Sequence, residues 1–220
     1  MANTFVRGNI GTSAGATSAT ITLPGTPAVG DLLVIIEVTP SGSVLTPSDS
    51  QGNMWMKAAG IFNSEFGAYY AISNGNAGAY TATVNWTSVA GTKYFTIGEW
   101  SNPLGFVLDT SAYVDQCLPC GFGVVIFTAN EAGALGVVYS FGQNNGDAFV
   151  SGTGFAQRET GASNLQALGD KLSTANGSNV WGNGQPACPC LTATFWAVSL
   201  VFKPAPSTAP NSVLFDSTNL

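Results

Sequence analysis

Residues 79–86 read Ala-Tyr-Thr-Ala-Thr-Val-Asn-Trp, and the period of two in this stretch decides the fold class. Every second position carries an apolar or aromatic side chain, namely Tyr80, Ala82, Val84 and Trp86. The positions between them are Thr or Asn, so the stretch predicts a β-strand with one buried face and one face in water. Residues 31–38 differ, because the run Leu-Leu-Val-Ile-Ile is unbroken and predicts a central strand covered on both faces.

Further strands of similar length follow along the chain. They are predicted at residues 4–10, 18–23, 53–59, 66–73, 93–100, 121–128, 134–141, 148–155 and 191–203. Turn residues separate them: Asn-Gly begins at 74, 145 and 176, and Pro or Gly stands at 24–25, 47–48 and 102–103. The one helical signal is a short turn within 162–171. We therefore expect an all-β protein, a single antiparallel β-sandwich of jelly-roll or lectin-like type over residues 1–203.

The composition excludes several classes of function. The 220 residues contain no His, so there is no imidazole base, no His-based nucleophile couple and no His metal ligand. The six Lys and Arg residues are scattered and the net charge is −6, which argues against nucleic-acid binding. Residues 1–10 lack the pattern of a secretory signal, and no apolar run reaches the ~18 residues of a membrane helix. We expect neither an export signal nor membrane insertion, and no cofactor.

From residue 204 the chain becomes Pro-rich, reading Pro-Ala-Pro-Ser-Thr-Ala-Pro-Asn, and it ends with a short apolar patch. The composition predicts a stiff linker or surface tail over 204–220. The patch Val213-Leu214-Phe215 has two interpretations: it folds back over its own domain, or it is an arm that binds a neighbouring subunit.

Several stretches resemble a lectin-like (concanavalin-like) β-sandwich module that recurs in bacteriophage virion proteins and bacterial surface proteins. The stretches are GDLLVIIEVTP (30–40), PSDSQGNMW (47–55), YYAISNGNAGAYTATVNW (69–86), FTIGEWSN (95–102) and LDTSAYVD (108–115). The resemblance implies a fold and no catalytic residues. A stand-alone chain without an export signal fits a virion component released by lysis better than a cell-surface repeat.

The four cysteines form two close pairs, Cys117/Cys120 and Cys188/Cys190. Disulfides between the two loops are the favoured interpretation. The alternatives are free thiols, a four-thiolate zinc site, or a redox motif at Cys-Leu-Pro-Cys, for which the chain offers no helix N-terminus.

Other candidate sites rest on carboxylates and aromatic residues. A glycosidase needs two carboxylates, and the candidates on or beside strands are Glu37, Glu65, Glu99 and Asp109. Glu99 shares the parity of Phe95 and Ile97 and is expected to point inward. Calcium ligands could come from Asp49, Asn53, Asn144, Asn145 and Asp147. Trp181 lies in a polar loop and is the candidate for stacking on a sugar ring, while the other Trp residues have the parity of core positions.

These observations favour a non-enzymatic structural protein of a bacteriophage virion, either a capsid decoration or a tail-associated subunit. Its partners are then other virion proteins and copies of itself in a homo-oligomer. It is made in the host cytoplasm and located in the virion. The alternative is a carbohydrate-binding or adhesive module of a phage or bacterial surface, and an extracellular or cell-surface location.

Overall fold

The computed structural model of the chain describes residues 2–58, 65–118, 124–142, 153–161, 166–182 and 193–206. For residues 113–118, 124–127, 142, 180–182 and 193–196 the structure describes the backbone but not the side chains. The first eight strands are β1 (Thr4–Ala14), β2 (Ser18–Leu23), β3 (Leu32–Val38), β4 (Val44–Asp49), β5 (Met56–Lys57), β6 (Phe66–Ile72), β7 (Tyr80–Trp86) and β8 (Thr92–Ser101). The others are β9 (Phe106–Leu118), β10 (Val124–Ala129), β11 (Leu135–Gly142), β12 (Ala156–Thr160), β13 (Gln166–Lys171), β14 (Gly177–Gly182) and β15 (Ala193–Pro204).

The strands pair into four sheets, and all their pairings are antiparallel. Sheet A has the order β1-β8-β3-β6-β5 and sheet B the order β2-β7-β4. Sheet C has the order β12-β13-β11-β15-β9 and sheet D the order β10-β14. The described residues contain no helix. The prediction of an all-β, antiparallel sandwich is confirmed.

Three buried cores lie between the sheets and place them in the layer order B, A, C, D. Leu33, Ile35 and Ile97 of sheet A pack against sheet B, while Leu32 and Val34 pack against sheet C. A third core joins sheets C and D through side chains such as Val138 and Ala129. All seven residues of β3 are buried, which confirms the predicted central strand. The alternating burial of β7 confirms the period-two pattern at 80–86.

The four layers comprise two copies of one fold: sheets A and B form the first copy, and sheets C and D form the second. In the first copy, the strand order β1-β8-β3-β6 faces β2-β7-β4, which is the strand order of a jelly roll. In the second copy, β9-β15-β11-β13 has the same order and packs against β10-β14. The sequence analysis anticipated one sandwich and did not detect this internal repeat. The two jelly rolls pack through their five-stranded sheets A and C.

Strand registers give residue equivalences between the copies. Leu32 pairs with Trp100 in the first copy, and Leu135 pairs with Phe202 in the second. A turn repeats as well: the N–H of Gly30 donates to Ser73 and that of Gly133 to Thr174, both at 2.9 Å. These glycines have φ of 86° and 85°, a left-handed conformation that favours glycine.

Equivalent residues also make the contacts between the copies. Because Val34 pairs with Tyr70 and Val137 with Asp170, Tyr70 and Asp170 are equivalent. The indole N–H of Trp100 donates to Asp170 at 2.7 Å, and the ring of Phe202 packs edge-on to Tyr70 at 5.5 Å. Each contact is the counterpart of the other, so the two jelly rolls are related by a pseudo-twofold axis.

Several predicted elements were wrong. Residues 166–171 form strand β13, not a helical turn, because β13 lies inside sheet C and is buried between two layers; residues 162–165 lie outside the described part. The strand predicted at 53–59 is limited to Met56–Lys57. The strand predicted at 148–155 lies mostly outside the described residues, and the next observed strand begins at Ala156.

Pro47-Ser48, predicted as a turn, lies inside β4. A register shift between Leu45 and Ser48 accommodates the Pro, which has no N–H to donate, at the edge of sheet B. Strand β9 was not predicted, because Asp109, Thr110 and Ser111 interrupt its apolar pattern. The last strand ends at Pro204, one residue beyond the predicted end of the sandwich.

Candidate assembly surfaces

The two ends of the stacked sandwiches differ, and we name them by what they carry. The exit end holds the loops 24–31, 50–54, 73–78 and 101–105, and the chain leaves it at residues 205–206, where Ala205 donates to the carbonyl of Gly105 at 3.2 Å. The cavity end lies at the opposite ends of the same strands. It is formed by residues 38–40, 65, 66, 92, 94 and 141, which line an apolar cavity.

A single carboxylate organises one loop of the exit end. Asp49 Oδ1 accepts hydrogen bonds from the backbone N–H groups of Gln51 (2.9 Å) and Asn53 (3.1 Å). Its Oδ2 accepts from the Asn53 amide (3.1 Å), the Trp55 indole (2.8 Å) and the Tyr80 hydroxyl (3.2 Å). Burial, followed by the charge of Asp49, raises the pKa of Tyr80. This network explains why residues 53–55 leave the extended conformation, and it fixes Asp-Ser-Gln-Gly-Asn as a rigid turn.

The same loops present apolar side chains to solvent. Met54 is 81% exposed and Val29 is 76% exposed. Their loops are adjacent, because the N–H of Asn74 donates to Asn53 at 2.9 Å and a Cβ on Gly75 would meet Val29. Exposed apolar groups on rigid, neighbouring loops are a feature of surfaces that bind other molecules.

A partly buried ion pair with a second carboxyl lies below these loops. Arg7 Nε donates to Glu99 Oε2 at 2.5 Å, and the same guanidinium donates to the carbonyls of Pro24 (2.6 Å) and Thr26 (3.0 Å). Glu99 is fully buried, so the expected inward orientation is confirmed. Asp31 forms a side-chain hydrogen bond with Glu99; burial and this contact raise the pKa of Asp31 to about 7. Asp31 also borders an open cavity of about 410 Å³.

At the cavity end, both jelly rolls contribute to an apolar cavity of about 210 Å³. Its walls include Val38, Pro40, Phe66 and Tyr94 from the first copy and Phe141 from the second. The rings of Tyr94 and Phe141 pack with centroids 4.2 Å apart. Thr92 and Glu65 add polar atoms to the lining. Space of this kind fits an apolar group that enters from outside.

Two buried polar side chains occupy equivalent places in the copies. Glu37 and Ser140 are fully buried, and their side-chain oxygens have no hydrogen-bond partner among the described residues. The registers make them equivalent, because each lies five residues beyond its paired leucine, Leu32 or Leu135. Burial raises the pKa of Glu37 well above its usual value, and the nearby Trp86 indole lowers it to a smaller extent. Both residues face the outer cores of their jelly rolls, away from the cavity.

The cysteine candidates are only partly placed. Cys117 lies in β9, where its backbone pairs with Thr194 of β15. Cys120, Cys188 and Cys190 lie outside the described residues, as does the side chain of Cys117. The predicted disulfides and the zinc and thiol alternatives therefore stay predictions.

Trp181 was assigned to a polar loop, and this was wrong. It lies in β14, paired with Val125 of β10, because Gly177–Gly182 continues sheet D; its side chain is outside the described residues. The expectation for three other tryptophans is confirmed, since Trp55, Trp86 and Trp100 are buried. The side chain of Trp196 is outside the description. The arm residues Val213, Leu214 and Phe215 also lie outside the described residues.

The structure places the four carboxylates of the glycosidase alternative apart from one another. Glu99 pairs with Arg7, Glu37 is buried beside Trp86, and Glu65 lines the cavity at the opposite end from Glu99. Asp109 in β9 accepts from Asn130 at 3.0 Å and lies 3.8 Å from Lys203. The pair that does meet is Asp31 with Glu99, and no sequence spacing indicated it.

The calcium candidates divide between described and undescribed residues. Asp49 and Asn53 bond to each other and to neighbouring groups of their loop. Asn144, Asn145 and Asp147 lie outside the described part. Among the residues that are described, no three acidic or cysteine side chains form a metal-binding group. Within the same part of the chain, no helix is long and apolar enough to cross a membrane.

Comparison with known proteins gave no match to a family model, to a curated protein or to a solved structure. The resemblance to lectin-like modules of virion and surface proteins therefore stays a prediction from the quoted stretches.

Proposed function

We propose that the protein is a non-enzymatic structural subunit of a bacteriophage virion, a capsid decoration or tail-associated protein that binds other virion proteins and copies of itself. The observation that carries the proposal is the tandem jelly roll, with its two unlike ends. Jelly rolls are common in viral capsid subunits and in lectins. In a chain that stacks two of them, the ends and the outer faces are the surfaces that can bind other molecules.

The exit end supports a role in assembly. Met54 and Val29 expose apolar side chains on loops that are held in place by Asp49 and by contacts between loops. A preordered surface loses little conformational entropy on binding, so apolar contacts there contribute to affinity instead of to ordering the loop. The chain has few charges, which also favours packing by shape.

Two measurements test the proposal. Phage particles are purified from a host culture in which the gene for this chain is expressed. Mass spectrometry of these particles is expected to find the protein at many copies per particle. Light scattering of the purified protein is expected to show self-association that increases with concentration. Absence from particles, together with a monomer at every concentration, would contradict the proposal.

A variant pair locates the contact. Met54→Asp places a charge in the exposed apolar loop and is expected to weaken both self-association and particle binding. Thr20→Asp is the matched control, because it adds the same charge at an exposed position of β2 in sheet B. Equal effects of the two substitutions would show that charge alone, and not the exit end, is responsible.

A further inference from the structure

The cavity end contains a site that the proposed function does not assign. Its volume of about 210 Å³ and its walls of Val38, Phe66, Tyr94 and Phe141 suit one large apolar side chain. For scale, an apolar cavity of about 150 Å³ holds a benzene molecule. Residues from both jelly rolls are needed to form it, so the site exists only in the stacked arrangement.

The chain supplies an apolar segment that leaves from the other end. The described chain stops at Pro206 on the exit end, and residues 213–215 read Val-Leu-Phe. The two ends are separated by the seven residues of β3, a distance of about 23 Å. Seven residues lead from 206 to 213, and Pro204, Pro206 and Pro210 favour an extended spacer of about 3.1 Å per residue, or about 22 Å in total.

This spacer is too short for the segment to reach the cavity of its own chain. Strand β15 points outward at the exit end, so a return path needs a reversal of direction. A turn takes four residues, which leaves about three residues, or about 10 Å, to cover the length of the sandwich. An extended spacer, which the Pro-rich composition predicts, would instead place Val213 beyond its own chain, where a neighbouring molecule can bind it.

We propose that Val213, Leu214 and Phe215 of one copy bind in the apolar cavity at the opposite end of a second copy. The inference rests on the proposed function and names the partner, a second copy, and the site. Each chain then has an arm at its exit end and a receptor cavity at its other end. Such a head-to-tail contact closes into a ring or continues as a filament, depending on the rotation between neighbours.

Two variants, each lacking one half of the contact, test the inference. One chain ends after Pro206 and keeps the cavity. The other keeps the arm but carries Thr92→Trp, which places a large side chain at a residue that lines the cavity. Each alone is expected to be monomeric, whereas an equimolar mixture is expected to form a one-to-one pair that grows no further. Native mass spectrometry measures this directly, because the two chains differ in mass.

Matched controls separate the contact from damage to the fold. Thr92→Ser leaves the cavity open and is expected to assemble like the wild type. Phe215→Ala removes the main apolar group from the full-length chain and is expected to weaken assembly at least tenfold, whereas Ser217→Ala is expected to leave it unchanged. Far-UV circular dichroism checks that every variant retains its β-structure.

The outcomes are distinct. Assembly of the truncated chain alone, a mixture that stays monomeric, or equal behaviour of Phe215→Ala and wild type would each overturn the arm-in-cavity contact. If the protein is present in particles while the mixture fails to pair, the virion role stands and this inference fails. If the pair forms but particles lack the protein, the inference stands and the virion role fails.

Discussion

Replacing Asp31 by Asn tests whether a proton shared by the Asp31 and Glu99 carboxyls stabilises the exit end. The pKa of Asp31 is raised to about 7 by burial and by the adjacent Glu99 carboxyl. Between its ordinary value of about 3.9 and 7, the folded protein binds a proton at Asp31 that the unfolded chain does not. The stabilisation is therefore complete below about pH 4 and is lost as the pH rises through 7. The substituted asparagine stays neutral at every pH, and its amide can donate to Glu99 as the protonated carboxyl does.

The size of the effect follows from the shift. Three pKa units correspond to about 4 kcal/mol in the free energy of unfolding. Because Asp31 borders an open cavity, and because Arg7 offsets part of the repulsion, water and the guanidinium reduce this figure. We expect the variant to exceed the wild type by about 1–2 kcal/mol at pH 8. At pH 4 the two proteins are expected to be equal within about 0.5 kcal/mol.

Urea unfolding followed by tryptophan fluorescence at several pH values between 4 and 8 measures the difference. Glu37 and Glu159 also have raised pKa values, so the wild type alone contains several contributions. Subtracting the variant from the wild type at each pH isolates Asp31. A difference that does not change with pH, or a variant that is less stable at pH 8, would refute the shared proton.

Four further predictions concern the cores and the cysteines. Gly98→Ala places a Cβ against the Trp100 ring and near Leu168, and we expect urea unfolding to show a loss of about 1–3 kcal/mol; an unchanged midpoint would contradict the close packing of sheets A and C. Trp100→Phe removes the N–H donated to Asp170 and is expected to cost about 1–3 kcal/mol at pH 7, measured by the same method. Glu37→Gln abolishes a buried group whose pKa is raised above 4.5, so thermal melts should show a gain over wild type that is absent at pH 4 and grows as the pH rises above about 4.5; a difference that does not change with pH would contradict the raised pKa of Glu37. If the four cysteines form disulfides, reduction lowers stability by about 2–4 kcal/mol, and alkylation of the unreduced, denatured protein finds no free thiol.

The sequence predicted those strands in which the order of apolar and polar residues matches the burial of each residue. Strand β7 alternates and β3 is continuously apolar, so local chemistry was enough. Strand β13 was missed because Gln-Ala-Leu-Gly-Asp-Lys has neither pattern. Its Asp170 is tolerated inside only because Trp100, which is 70 residues away in the sequence, and Arg158 of the adjacent strand β12 bind the carboxylate.

The internal repeat was not predicted because few equivalent positions carry the same residue in both copies. Along β3 and β11 with the preceding turn, Gly30 matches Gly133, Leu32 matches Leu135 and Val34 matches Val137, while their neighbours differ. A jelly roll requires suitable size and polarity at each position, not identity, so equivalence became visible only through strand registers. For the same reason the contact of Asp31 with Glu99 could not be predicted, since pairing between β3 and β8, not spacing, brings the two chain segments together.

The contacts across the pseudo-twofold axis show how covalent linkage lets the two copies differ. In a homodimer both equivalent contacts would be the same, yet here one is a Trp100–Asp170 hydrogen bond and the other is a Phe202–Tyr70 ring contact. A carboxylate buried without partners is costly, so Asp170 is stable only where Trp100 and Arg158 meet it. Sliding sheet A along sheet C would separate these groups, whereas two ring contacts would tolerate it. The polar pair therefore fixes the register of the two jelly rolls, and with it the shape of the cavity that both of them line.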